Sequence, residues 1–405
     1  MHAETQAEAI RFVLDLGQAL QRYGTPAHRL EDTMQGAASR LGLEAQFFTT
    51  PTAIMATFEG HPAPYTTLIR VDSGEVDLAK VTRLDRLGDS VVQGKISPQR
   101  GRMILHRLVE ARRPYDAGLM ILAFGLVSGA AARFFGGGAP EMITSAVIGL
   151  LTGALAKSMG RTVVGARAFE LIAAFLASTL ALQASRLSGQ VSPEIATLAG
   201  LIALVPGLTL TTALSELATR NLVSGSARMT AAVIVFLQIA FGVALALKLD
   251  AVLFGALPAA QTSEALSRWS EPAALWIASF GLALLFRAPR PLVPWVMGAG
   301  LISFAGARLG AQILGPELGV ALGAFAVGVA GNTFARWRQR PALVLIVPGI
   351  LLLVPGSLGF RSVNMLLKSD TIGGLNAGFS TLLAGISIVA GLLMANLAVS
   401  PRRAL

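Results

Sequence analysis

From residue 117 to residue 398 the chain is a succession of ten apolar segments, near 117–135, 141–158, 168–185, 194–214, 228–248, 272–287, 291–308, 317–335, 341–359 and 377–398. In hydrocarbon every backbone polar group must be satisfied within the protein, so such a pattern admits a helical membrane bundle and little else. Composition agrees: 53% of the 405 residues are hydrophobic and 14% charged, against roughly 25% charged in soluble domains. The net charge of +10 does not point to nucleic acid. Residues 1–116 hold 14 Lys/Arg and 14 Asp/Glu, so the whole surplus lies in short connections between apolar runs. With the N-terminus inside, fourteen Lys/Arg fall on the cytoplasmic side and seven on the other, the bias of a multi-pass protein with both ends cytoplasmic.

Two of the segments carry the same interruption, Leu204-Val205-Pro206-Gly207 and Leu353-Val354-Pro355-Gly356, 149 residues apart. A Pro-Gly pair removes a helix donor and loosens the backbone. Inside a membrane it survives where protein or a polar cavity re-satisfies the freed groups. The same register aligns Gly149 with Gly298, and an offset of 150 aligns Ala174-Phe175 with Ala324-Phe325. Each half then holds five helices, and because five is odd the second copy enters the membrane upside down. Such inverted repeats place substrate near the midplane, at broken helices. The expected domains are a cytoplasmic α+β module (1–114), a first membrane repeat (115–250), an extracytoplasmic linker (251–271) and a second repeat (272–405).

Within the module, Thr25-Pro26 reads as a cap followed by proline at the first helical position. A helix through Leu41, strands near 45–49, 53–58 and 65–71, and helices near 77–94 and 98–112 follow. The chain has no cysteine, and its four histidines all precede residue 117. Thiolate and intramembrane imidazole chemistry are therefore excluded, and no metal, cofactor or catalytic constellation is expected. His28, beside Arg29 and near Glu31, reads as part of a solvated helix face. The start lacks a signal peptide.

A zwitterion taken into a low-dielectric cavity needs both charges met. Backbone at Pro206-Gly207 and Pro355-Gly356 can offer N–H and C=O groups, and Thr209, Thr211, Thr212, Ser357 and Asn364 can add hydroxyl and amide contacts. The alternative for the hydroxyls is a bond to their own helix backbone. Glu170 and Glu216 are the acids on the cytoplasmic half of the membrane region. Intramembrane acids are expensive and usually functional, so either is a candidate proton carrier. The competing readings are that Glu170 complements a helix dipole from the first turn and that Glu216 pairs with Arg220 one turn on. Gln183, Gln238, Asn332 and Asn396 line a path or join helices. Gly-xxx-Gly spacings at 125/129, 149/153 and 319/323 allow close helix approach within a chain or in a homo-oligomer.

The run from Leu204-Val205-Pro206-Gly207 through Leu208-Thr209-Leu210-Thr211-Thr212-Ala213-Leu214-Ser215-Glu216-Leu217 to Ser224-Gly225 and Arg228 resembles the threonine/serine exporter family. Tyr23 to Glu31, Phe48 to Thr52, and Val347 through Ser357 are similar to the same family in its fused form. Glu216 and Thr212 stand where the resemblance leads one to expect aspartate and asparagine, so the acid is kept with a longer reach. The resemblance implies proton-coupled secondary export of small hydroxylated amino acids across a bacterial inner membrane. A channel, or an amino-acid sensor signalling through the module, is the alternative reading.

Overall fold

The computed structural model describes residues 3–59, 64–72, 74–111, 114–257, 266–267, 269–353, 356–367 and 369–401. Pro355, expected in the site, lies outside them.

The N-terminal module comprises α1 (Ala3–Arg22), α2 (Ala27–Arg40), a three-stranded antiparallel sheet of β1 (Ala45–Thr50), β2 (Ala53–Phe58) and β3 (Tyr65–Arg70), then α3 (Leu78–Val92) and α4 (Pro98–Glu110). The register pairs Ala45 with Phe58 and Thr50 with Ala53, so Pro51-Thr52 forms a two-residue hairpin loop. Fully buried Phe12, Leu30, Met34, Ile54 and Leu84 join helices to sheet. Side-chain caps start α3 and α4 at Asp77 and Ser97. The expected Thr25 cap of α2 is not formed. Pro26 occupies the cap position without a side-chain bond, and the buried Thr25 hydroxyl has no partner among the described residues.

Beyond the module run α5 (Ala117–Phe134), α6 (Ala139–Met159), α7 (Val163–Ser188), the short α8 (Pro193–Gly200) and α9 (Gly207–Ala218), and α10 (Leu222–Phe254). Then come α11 (Ser270–Leu285), α12 (Val293–Leu314), α13 (Pro316–Arg338), the short α14 (Leu343–Leu351) and α15 (Gly356–Leu367), and α16 (Thr371–Ala398). Eight stretches among the described residues are long and apolar enough to cross a membrane, with α14 and α15 counted as one; α11 is shorter. The chain is a mainly helical, multi-pass membrane protein. Several helices overrun their apolar segments. α10 passes the expected repeat boundary at 250 because Val252-Leu253-Phe254 continue its apolar run, and it stops at Gly255, whose φ is 73°. α7 starts five residues early, which puts Glu170 two turns inside the helix instead of in its first turn, so the dipole reading of that acid falls.

Packing recurs between the halves. Gly242 of α10 lies against the Leu171 carbonyl of α7, where a Cβ would sit 2.9 Å from Ala174 Cβ and 3.0 Å from Phe175 N. Gly391 of α16 lies likewise against the Ala321 carbonyl of α13, 3.0 Å from Ala324 Cβ and Phe325 N. Gln183 donates to Asp250 between α7 and α10, and Asn332 to the Val399 carbonyl between α13 and the end of α16. These contacts stand 149 or 150 residues apart. Asn332 also donates to Asn396, so Gln183, Asn332 and Asn396 join helices. The glycine pairs at 125/129, 149/153 and 319/323 all pack against neighbouring helices of the same chain.

Candidate functional site

The two interruptions meet. A Cβ on Gly356 would lie 2.6 Å from Val205 Cγ1 and 3.5 Å from the Gly207 Cα. In each, a short helix ends, the chain turns, and the next helix starts at the glycine: α8 gives way to α9 at Gly207, and α14 to α15 at Gly356. A cavity of about 420 Å³ opens beside this junction, lined by Ile202–Val205 and Gly207 from one break and by Leu351, Leu352, Gly356 and Ser357 from the other. Met120, Phe124, Val127, Ala131 and Phe134 form its long wall on one face of α5, over roughly 21 Å of helix. Phe169, Leu282, Phe286 and Phe304 close the sides, and Glu75 of the module sits on the lining.

The expected site residues divide three ways. Gly207, Gly356 and Ser357 line the cavity, and Pro206 is buried at the junction. The Thr211 hydroxyl donates to the Gly207 carbonyl at 3.1 Å, the backbone bond that was its alternative. Thr209, Thr212 and Asn364 are part-buried and do not line the cavity. The break also spends donors on itself: Leu204 N and Val205 N go to the Leu201 carbonyl and Gly207 N to the Val205 carbonyl. What remains for an anion is the field of two helix N-termini, at Gly207 and Gly356, each carrying about half a positive charge.

Glu216 stands elsewhere. It is fully buried and accepts from Ala27 N (2.9 Å), Ser224 Oγ (2.8 Å) and Arg228 Nε (3.0 Å). Its ionic partner is therefore Arg228 on α10. Arg220 is exposed, and its φ of 66° belongs to the turn that ends α9. Glu216 thus supplies the cap that Thr25 does not, fastening α2 of the module to the α9–α10 junction. Glu170 is half-buried and makes no hydrogen bond or ion pair among the described residues, although its neighbour Phe169 lines the cavity.

A second fastening joins the module to the other half. Leu78 N donates to the Phe286 carbonyl at 2.9 Å, and the buried Arg287 faces Asp77 at 3.9 Å and pairs with Glu75. Leu78 is packed among Ala283, Ala288 and Leu292. Neither fastening was read from the sequence. The even spacing of apolar residues along α5 was the available signal for the cavity wall, but membrane helices are apolar all round and the stripe does not stand out.

Residues 11–250 match one threonine/serine exporter family model, and residues 271–398 match a second model of the same description. The chain belongs to the threonine/serine exporter family. Among curated proteins it is 26% identical to pheromone-regulated membrane protein 10 of Zygosaccharomyces rouxii, over 99% of this chain and 44% of that protein. It is 28% identical to the protein of the same name in Eremothecium gossypii (91% and 50%), and 29% to that of Candida albicans (90% and 33%). The chain thus spans half or less of these fungal relatives. No solved structure matches it.

Proposed function

We propose that the chain is a secondary exporter of small hydroxylated amino acids, L-threonine and L-serine, working by alternating access at the cavity between the two Pro-Gly breaks. That convergence is the observation that carries the reading: two interruptions 149 residues apart in sequence share one cavity, with two helix N-termini for a carboxylate and the Ser357 hydroxyl for a neutral contact. Glu75, which also pairs with Arg287, is the one acid on the cavity lining among the described residues and would share its charge with an ammonium group. The aromatic walls suit a site that must exclude water around a small zwitterion.

The two halves form an inverted repeat of five helices each in this reading, ten in all. The recurrent α7–α10 and α13–α16 contacts support it. So does polarity: α10 meets the module near its start, through Arg228 and Glu216, whereas α16 approaches it at its end, through Asn396 and Pro401. The module and both chain ends lie on the cytoplasmic side. In this reading the membrane is a bacterial inner membrane, which is what the family resemblance leads one to expect; the relatives named above are fungal.

Proton coupling falls to Glu216 or Glu170. A proton on Glu216 displaces Arg228, Ser224 or the Ala27 amide, and so would loosen the module as it binds. Proteoliposomes loaded with threonine, serine or leucine and given a pH gradient test the whole reading. Gradient-driven efflux of the two hydroxylated substrates is expected; flux of none of the three would sink it. Glu216→Gln or Glu170→Gln retaining full gradient-driven flux removes that residue from the coupling role.

A further inference from the structure

A second cavity, of about 500 Å³, lies between the module and the second membrane half. Its module wall is the start of α2 with Thr25, His28, Arg29 and Asp32; its membrane wall holds Arg340 and the N-terminus of α14 at Leu343. Four of the lining groups, on Thr25, His28, Arg29 and Arg340, lack side-chain partners among the described residues. Thr25 is 5% exposed, and neither its hydroxyl nor the buried His28 Nδ1 has a hydrogen-bond partner among the described residues. Arg29 and Arg340 make no hydrogen bond through their guanidinium groups and no ion pair within 4 Å among the described residues, although the nearby Asp32 charge acts on Arg29. Burial and the neighbouring Arg29 push His28 down to about 4, so it is neutral at physiological pH and keeps one donor and one acceptor nitrogen.

Buried polar groups in folded proteins are nearly always satisfied, and a cluster that is not needs a reason. Two guanidinium groups and a helix N-terminus suit a carboxylate. Asp32, one turn along α2 from Arg29 and facing the wall that holds Arg340, suits an ammonium group, and the Thr25 hydroxyl can bond either end. We propose that this cavity is a binding site for a small zwitterionic α-amino acid, separate from the cavity between the breaks. Bound there, the ligand bridges the module and the second membrane half, so the module senses amino acid on its own side of the membrane. The choice of an amino acid rests on the export reading, but the site stands on its own residues.

Equilibrium binding of radiolabelled L-threonine and L-serine to the full chain in detergent tests it, alongside flux in proteoliposomes. Arg340→Gln is expected to weaken binding about tenfold, the loss of one charge-assisted contact. Thr25→Val should abolish the ligand-induced rise in melting temperature while raising the melting temperature of the ligand-free protein, because it removes a buried unpaired hydroxyl. Thr25→Ser should bind as wild type. A merely structural Thr25 would instead lower the ligand-free melting temperature on substitution. Binding unchanged in both Arg340→Gln and Thr25→Val, or no binding of either amino acid to wild type, overturns the proposal. Binding that is lost in these variants while wild type carries no flux would leave this site standing and remove the export reading alone.

Discussion

The carboxylate of Glu216 accepts the backbone N–H of Ala27 at 2.9 Å, across 189 residues of chain. A membrane helix therefore caps a helix of the N-terminal module, and the same carboxylate holds Arg228. Removing it leaves a helix end uncapped and a part-buried guanidinium unpaired. Glu216→Ala is expected to destabilise by about 3 kcal/mol, the low end for breaking a buried pair. Thermal unfolding in detergent measures this, and hydrogen exchange should show the loss concentrated in the first turn of α2. Unchanged exchange there would mean that the cap does not hold the module.

On the other half, Asp77 both caps α3, through Lys80 N at 3.0 Å, and faces Arg287. Asp77→Ala is expected to cost about 1 kcal/mol for the cap and somewhat more because Arg287 then keeps Glu75 alone. Crosslinking between cysteines introduced at Val76 and Leu285, both on the cavity lining and flanking the Leu78–Phe286 hydrogen bond, should fall in this variant if the segment has undocked.

How much of this was legible follows from the range of each interaction. The hairpin at Pro51, the caps at Asp77 and Ser97 and the two Pro-Gly breaks are written within a few neighbouring residues, and local chemistry sufficed. Glu216 was found as a site of interest for the same reason. Its partners were not, because Ala27 is 189 residues away, and the i,i+4 rule led to Arg220, in a turn the helix does not reach. Thr25-Pro26 misled in the opposite sense, since its sequence has the form of a cap whose work a distant carboxylate does. Among the hydroxyls after the first break, helical spacing turns Thr211 back onto the Gly207 carbonyl.

His28 gives the module a pH dependence of calculable sign. Its pKa falls from the ordinary 6.5 to about 4 in the folded chain, through burial first and Arg29 second. The unfolded chain takes up the proton below 6.5 and the folded chain does not until about 4, so the stabilisation is present above pH 6.5 and is lost as pH falls towards 4. The full loss is about 3 kcal/mol. His28→Gln, neutral throughout, should flatten the melting temperature across that window; an unaltered slope would assign it to another group.

The junction itself can be tested by size. A side chain at Gly356 meets Val205 Cγ1, the end of a side chain that borders the cavity. Gly356→Val is expected to leave the fold intact while filling the space between the breaks, and to lower the maximal efflux rate in proteoliposomes at least about tenfold, a barrier change of about 1.4 kcal/mol. Undiminished efflux from a correctly folded variant would move transport out of this cavity.

The repeated glycine contact supports the proposed duplication, and substitution at its two copies tests it. Replacing a helical glycine by alanine ordinarily stabilises a helix by about 1 kcal/mol, and Gly298 of α12, with nothing within 4 Å of an added Cβ, should show that gain. At Gly242 and Gly391 the added methyl meets the Leu171 and Ala321 carbonyls of the facing helix. Backbone cannot move aside as a side-chain end can, so overpacking of about 1–3 kcal/mol outweighs the propensity gain. Gly242→Ala and Gly391→Ala should therefore both lower the melting temperature, by similar amounts, while Gly298→Ala raises it. If only one of the pair destabilised, the two helix pairs would not be doing the same structural work, and the repeat would lose its strongest support.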